Sequence, residues 1–132
     1  MRKPADSFFQ HTVKTAGPGA LPIINENDTV STEEIVIGDN DTLSARVAAV
    51  IHGNLLVLLS DIDGLFDRDP HRFPDARPIP LVARLDETIL ALGGVPGSSL
   101  GSGGMATKLK AAQIATAAGC PMVIANGAHP EV

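Results

Sequence analysis

The feature that most constrains the fold is a run of five apolar residues, Leu55–Leu59, which directly follows a helical pattern. A strand with one solvated face alternates apolar and polar residues, whereas a short continuous run is typical of a strand covered on both faces, as in a parallel sheet. A second run, Met122–Ala125, follows another helical pattern near the end of the chain. We therefore predict an α/β fold in which helices sandwich a mostly parallel sheet.

Two helices are predicted from their ends and their apolar periodicity. The first spans Thr42–His52, with Asp41 as its N-cap and Gly53 just past its C-terminus. Its predicted buried stripe consists of Leu43, Val47, Val50 and Ile51. The second helix spans Met105–Ala118 and is closed by Gly119.

The remaining segments are shorter or more polar. They are a short buried strand at Leu21–Ile24, an edge strand at Glu34–Ile37, a polar, proline-rich excursion at Asp67–Pro80, a short helix at Asp86–Leu92 and a flexible loop at Pro96–Gly104. Residues 1–20 are poorly assigned; a short helix at Ser7–Thr15, ended by Gly17–Gly19, is the interpretation they allow.

Composition excludes several classes of partner. The net charge of −5 gives a poor electrostatic footprint for nucleic acid or an anionic membrane surface. No apolar run is long enough to span a bilayer, and the N-terminus has no apolar leader. The single cysteine, Cys120, excludes an internal disulfide framework. We expect a soluble, cytoplasmic domain that binds neither nucleic acid nor membrane.

A glycine-rich loop, Gly101–Gly104, runs directly into the second helix, whose first turns hold Lys108 and Lys110 but no acidic residue. A helix N-terminus is electropositive, so lysines near it have the wrong sign unless an anion completes the arrangement. Glycines that let the backbone approach, free amides and a lysine together favour a phosphate. The alternative is a flexible linker with solvated lysines. The loop is no Walker A motif, and its match to the dinucleotide fingerprint is weak because no strand precedes it.

Acidic and amide side chains concentrate in two segments. Asn25–Asp28 follows a predicted strand, and Gly38–Asp41 precedes a predicted helix. In open α/β sheets, ligands lie at the carboxyl ends of the strands, so these groups suit an ammonium group, a metal ion or a positively charged catalytic partner. A solvated surface is the alternative. Ser60 and Asp61, at the end of the most apolar strand, are either ligand contacts or turn formers.

Phosphate-binding glycines and lysines beside many acids, with no obvious general base, fit one reaction class. Transfer of a phosphoryl group to an acceptor that is already an anion needs positioning and charge neutralisation, but no base.

Four blocks of the sequence, in order, resemble the amino acid kinase family. They are Ile23–Val30, Gly38–Ala45, Ser60–Leu65 and Gly101–Leu109. The first two blocks, with their Asn-Glu-Asn-Asp and Gly-Asp-Asn-Asp sequences, are similar to the branch of the family that phosphorylates glutamate. The resemblance covers residues 21–132, and it implies that this region is the nucleotide- and substrate-binding portion of such a domain.

The resemblance implies ATP-dependent phosphorylation of the side-chain carboxylate of L-glutamate, with Mg²⁺, on the route to proline. It implies that Asp28 and Asn40 bind glutamate, and that Asp41 orients catalytic lysines. Lys108 would neutralise charge on the transferred group. The nucleotide-binding residues implied are Ser60, Asp61, Ser102, Gly103, Gly104, Met105, Ala106, Thr107 and Lys108. The metal ligands are unknown.

The sequence also departs from the family. Its kinase domain begins with a lysine-bearing strand and a glycine-rich loop, which have no clear counterpart here, so we expect an incomplete chain that is inactive alone. Two other hypotheses stay open: a kinase for another small acid, and a non-catalytic module that binds nucleotides or amino acids. A homo-oligomer is possible in each case.

Overall fold

The computed structural model of the 132-residue chain describes residues 19–24, 40–94 and 104–129. Within these ranges it contains three helices and two strands. They are α1 (Asn40–Val50), β1 (Leu56–Ser60), α2 (Glu87–Ala91), α3 (Met105–Ala117) and β2 (Met122–Asn126).

Strands β1 and β2 form a parallel two-stranded sheet. Their register runs from Leu56 opposite Met122 to Ser60 opposite Asn126. Parallel neighbours need a long crossover connection, which residues 61–121 supply through α2 and α3. The predicted parallel α/β architecture is confirmed for the described residues, and the carboxyl ends of both strands lie side by side.

Helices α1 and α3 cover one face of this sheet. The core there is built from small residues of the helices and larger ones of β1: Ala45, Ala48, Leu56, Leu58, Ala111, Ala115 and Cys120. Alanines bring no bulk to the contact, so the two helix backbones approach closely. Because α1 and α3 lie on the same face and each leads into a strand, both N-termini point toward the carboxyl ends of the strands.

The opposite face of the sheet is exposed within the described residues. Val57, Leu59 and Val123 lie on it and retain between 44% and 66% of their accessible surface. The prediction that both faces of β1 are covered is therefore wrong for this part of the chain. An unbroken apolar run shows that both faces of a strand are apolar, but not which elements pack on each.

The prediction of a buried strand at Leu21–Ile24 is also wrong. These residues form neither helix nor strand, and Leu21 and Ile23 are almost fully exposed. Ile24 alone packs against a buried residue, Leu43 of α1. Apolarity favours a strand only where a neighbour completes its hydrogen bonds, and no described residue does so here. The predicted edge strand at Glu34–Ile37 and the short helix at Ser7–Thr15 lie outside the described residues.

The ends of α1 differ from their prediction. The helix begins at Asn40, so Asp41 lies in its first turn and is not the N-cap. At the other end the left-handed residue is His52, with φ of 55°, rather than Gly53. The Gly53 amide donates to the Ala48 carbonyl at 2.8 Å, which closes a Schellman motif around His52.

The predicted apolar stripe of α1 is confirmed at Leu43, against which Val47 and Val50 pack, and is wrong at Ile51. Val47 and Val50 are half-buried and Ile51 is exposed, whereas Ala45 and Ala48 face α3. Two helices in close contact need small residues where they meet, and a search for periodic large apolar residues does not find such alanines.

The ends of α2 and α3 follow the prediction. Asp86 caps α2, with its carboxylate accepting from the Ile89 amide at 3.0 Å. Gly119, with φ of 79°, ends α3, and the Cys120 amide donates to the Ala115 carbonyl at 2.9 Å.

Neighbouring residues of β1 should differ sharply in their contribution to stability. Replacing Leu58, which is 5% exposed, with alanine is expected to lower the free energy of unfolding by about 3 kcal/mol. Leu59→Ala should cost less than about 1 kcal/mol, since Leu59 is 66% exposed. Urea denaturation of the two variants measures the difference, and equal losses would show that both faces of β1 are covered.

Candidate functional site

The N-termini of α1 and α3 are joined by a lysine–aspartate pair. Lys108 Nζ donates to Asp41 Oδ2 at 3.1 Å, and the Thr107 hydroxyl lies 2.7 Å from the same oxygen. The Lys108 side chain is only 7% exposed and that of Asp41 17% exposed. A lysine so deeply buried needs a carboxylate partner, because an unpaired buried charge is strongly destabilising.

The first turn of α3 is electropositive. Gly104 is its N-cap and offers no side-chain hydrogen bond, and the turn contains no acidic residue. The first amides of any helix lack intrahelical acceptors, and they add to the positive end of the helix dipole. Asp41 therefore faces the Lys108 ammonium at a place where two helix N-termini meet. Exposed helix amides beside a lysine suit an anion.

A glycine at the end of α2 fixes where this turn lies. A Cβ on Gly93 would stand 2.9 Å from the Ala106 Cα and 3.2 Å from Leu109 Cδ1. Only glycine permits this approach without displacing the start of α3. The start of α3 is thus held in place by two contacts, one with Gly93 at the end of α2 and one with Asp41 of α1.

The carboxyl end of β1 contributes a carboxylate to the same region. The Ser60 hydroxyl donates to Asp61 Oδ1 at 3.1 Å, and this hydrogen bond is the main cause that lowers the pKa of Asp61. The Asp61 backbone amide and the Lys108 ammonium lower that pKa further. Helix α1 packs on both α3 and β1, so this carboxylate lies at the edge of the sheet where the two helix N-termini emerge.

The carboxyl end of β2 adds a polar pair that sequence patterns do not reveal. Asn126 Nδ2 donates to Asp63 Oδ1 at 2.8 Å, although the two residues are 63 positions apart. The Gly127 amide donates to the Ser60 carbonyl at 2.8 Å and extends the pairing of the strands by one step. Asp63 and Asn126 are visible in the sequence only as a turn former and a strand end, and the fold joins them.

The structure thus brings together Asp41, Thr107 and Lys108 in direct contact, with Asp61 nearby. Met105 and Ala106 lie in the same first turn of α3, and Asn40 is exposed at the start of α1. Of the predicted site residues, Asp28, Ser102 and Gly103 lie outside the described residues.

The alternative of two solvated lysines is correct for Lys110, which is exposed, and wrong for Lys108. Asn40 also borders an open groove of about 480 Å³. The groove is lined mainly by apolar side chains such as Leu43 and Val47, and none of the described residues that line it is charged.

Residues 19–24, 40–94 and 104–129 lack two kinds of feature. No helix in these ranges is long and apolar enough to cross a membrane. The same ranges contain no group of three or more histidine, cysteine, aspartate or glutamate side chains placed to hold a metal ion.

Two helix N-termini that meet a lysine at the carboxyl edge of a parallel sheet define an α/β protein whose site suits an anionic ligand. The profile of the amino acid kinase family matches residues 8–126. The chain belongs to that family, as its motifs predicted.

Curated relatives share this similarity over most of the chain. It is 56% identical over 114 residues to a glutamate 5-kinase of Symbiobacterium thermophilum, covering 86% of this chain and 43% of the relative. It is 58% identical to a glutamate 5-kinase of Paramagnetospirillum magneticum, covering 85% of this chain and 31% of the relative. It is 56% identical to a glutamate 5-kinase of Deinococcus radiodurans, covering 86% of this chain and 31% of the relative. The chain therefore spans less than half the length of these relatives.

Removal of the Asp41 charge should destabilise the fold, because it leaves the buried Lys108 ammonium without its carboxylate. We expect Asp41→Asn to lower the free energy of unfolding by about 3 kcal/mol in urea titrations. The double variant Asp41→Asn/Lys108→Met should recover part of that loss, since it removes both charges.

The exposed pair of Arg68 and Asp75, 3.5 Å apart, supplies the control for this prediction. Asp75→Asn should change stability by less than about 1 kcal/mol. Equal effects of Asp41→Asn and Asp75→Asn would contradict the structural role of the Asp41–Lys108 pair.

Proposed function

We propose that this chain provides the nucleotide-binding part of a glutamate 5-kinase, which transfers a phosphoryl group from ATP to the side-chain carboxylate of L-glutamate. The observation that carries the proposal is the buried Lys108 ammonium, held by Asp41 at the N-terminus of α3. Relatives that are named glutamate 5-kinase and share 54–58% identity with the chain support the choice of substrate.

The triphosphate of ATP suits the first turn of α3. Phosphate oxygens accept hydrogen bonds from exposed helix amides, and the helix dipole favours their charge. Thr107, whose hydroxyl lies 2.7 Å from both Asp41 Oδ2 and the Gly104 carbonyl oxygen, ties the start of α3 to α1. Lys108 is thereby fixed in place before a ligand arrives, which lowers the entropic cost of binding.

The reaction requires no general base. A glutamate carboxylate oxygen attacks the γ-phosphorus of ATP, a new O–P bond forms, and the bond to the β-phosphate oxygen breaks to release ADP. No proton moves, so the chain's task is to position the reactants and to neutralise charge. Lys108 supplies that neutralising charge, and Asp41 sets the position of its ammonium.

Asp28 and Asn40 are proposed to bind glutamate. The nucleotide is proposed to be bound by Ser60, Asp61 and the segment Ser102–Lys108. Mg²⁺ is proposed to enter with ATP, since it is typically bound by phosphates, waters and one or two carboxylates rather than by a dedicated protein cage. Such a carboxylate is present at Asp61, which is exposed and lies near Lys108. We further propose a cytoplasmic location and a role in proline biosynthesis; a homo-oligomer stays a prediction.

The isolated chain tests the nucleotide-binding part of this proposal by isothermal titration with ATP. We expect Lys108→Met to weaken ATP binding by about tenfold or more, because a charge-assisted hydrogen bond to a phosphate is lost. Lys110→Met is the matched control, since Lys110 lies on the same helix but is exposed. It should change the affinity by less than about threefold, because screened surface charges contribute little.

Stability is measured alongside, because Lys108→Met leaves Asp41 without its partner. If that variant unfolds, Asp41→Asn/Lys108→Met replaces it, as this double variant carries neither buried charge. Equal ATP affinities for the wild type and the Lys108 variants would contradict the proposed function.

A further inference from the structure

The Asp63–Asn126 pair lies at the carboxyl edge of the sheet, as the proposed phosphate site does, but has no part in that site. Asp63 follows β1 by three residues and Asn126 is the last residue of β2. Ser60 and Asn126 are partners in the sheet register, and adjacent strands are about 4.8 Å apart. One ligand at this edge of the sheet can therefore contact both strand ends.

The hydrogen bonds of Asn126 fix the orientation of the pair. The Asn126 side-chain oxygen accepts from the Ala128 amide at 3.0 Å, so its nitrogen faces Asp63 and donates to Oδ1 at 2.8 Å. A reversed amide would lose both bonds, because a backbone N–H cannot accept and a carboxylate cannot donate. The Asp63 carboxylate is thus held in one position by a partner on the neighbouring strand.

One oxygen of Asp63 stays available to a ligand. The Asp63 side chain is 67% exposed, and both of its described contacts, with Asn126 and with His129 Nε2 at 3.9 Å, involve Oδ1. Oδ2 makes no hydrogen bond to any of residues 19–24, 40–94 or 104–129. The turn that carries Asp63 is brought against β2 by Gly64, whose φ of 148° favours glycine.

We propose that Asp63, oriented by Asn126, accepts hydrogen bonds from the ribose hydroxyls of the bound nucleotide. This inference rests on the proposed function, because it requires the phosphates at α3. In Rossmann dinucleotide-binding domains, an acidic side chain about 20 residues after the glycine-rich turn binds the ribose 2′-hydroxyl. Here the end of β2 offers Asn126, an amide, and the fold supplies the missing carboxylate from the turn after β1.

The test compares ATP with 2′,3′-dideoxy-ATP by isothermal titration. The wild-type chain should bind ATP about tenfold more tightly or better, since hydrogen bonds to a charged acceptor are lost with the hydroxyls. Asp63→Asn should bind the two nucleotides with affinities within about threefold of each other. It should bind dideoxy-ATP as the wild type does, because its phosphate site is unchanged.

Two further variants separate a ribose contact from general damage. Asn126→Ala, which frees the Asp63 carboxylate, should reduce the preference for ATP without abolishing it. Asp75→Asn removes an exposed carboxylate that pairs with Arg68, and it should keep the full preference.

The outcomes distinguish this inference from the function on which it rests. Tripolyphosphate is included as a probe that has phosphates and no ribose. If the wild type binds tripolyphosphate and both nucleotides but does not prefer ATP, or if Asp63→Asn keeps the preference, the ribose contact is wrong and the phosphate site stands. If the wild type binds none of the three, the proposed function is contradicted and this inference with it.

Discussion

The hydrogen-bonded ion pair between Lys108 and Asp41 is the interaction on which the rest of the site depends. The two residues are 67 positions apart in the sequence, and their bond joins the first turns of α1 and α3. It also allows the Lys108 ammonium to be charged although its side chain is almost fully buried. A buried lysine without a charged partner destabilises a fold, so pairing with Asp41 favours the arrangement in which the two helix N-termini lie together. The same arrangement brings the Lys108 ammonium and two helix N-termini to one edge of the sheet.

The core explains why this pair can form. Alanines on the facing sides of α1 and α3 allow close contact, and Leu56 and Leu58 of β1 fix both helices to one face of the sheet. Each helix leads into a strand, so both N-termini emerge where the strands end. Gly93 then places α2 against the first turn of α3. The small residues of the core therefore determine where the functional groups lie.

Much of this could be predicted from the sequence. The apolar runs predicted both strands of the sheet, and Gly119 predicted the end of α3. The absence of acidic residues from the first turn of α3 is a sequence feature, and the anion that it led us to expect there stays a prediction. The motifs indicated the family to which the profile match assigns the chain. Each of these features depends on residues that are close together in the sequence, so the sequence alone is enough to predict it.

The errors concern contacts between distant segments. Periodicity does not show which face of β1 is covered, nor that alanines rather than Val47 and Ile51 face the neighbouring helix. Aspartate is a residue type favoured at helix N-caps, but the Asp41 carboxylate instead forms hydrogen bonds with Thr107 and Lys108. The Asp63–Asn126 bond exists only once the two strands pair.

The central claim is that the nucleotide phosphates bind between Lys108 and the first amides of α3, and a crystal structure of the chain with a non-hydrolysable ATP analogue tests it most directly. The account predicts phosphate oxygens within hydrogen-bond distance of Lys108 Nζ and of the Met105 or Ala106 amide. A triphosphate bound elsewhere, with no phosphate oxygen within hydrogen-bond distance of Lys108 Nζ or of these amides, would contradict it.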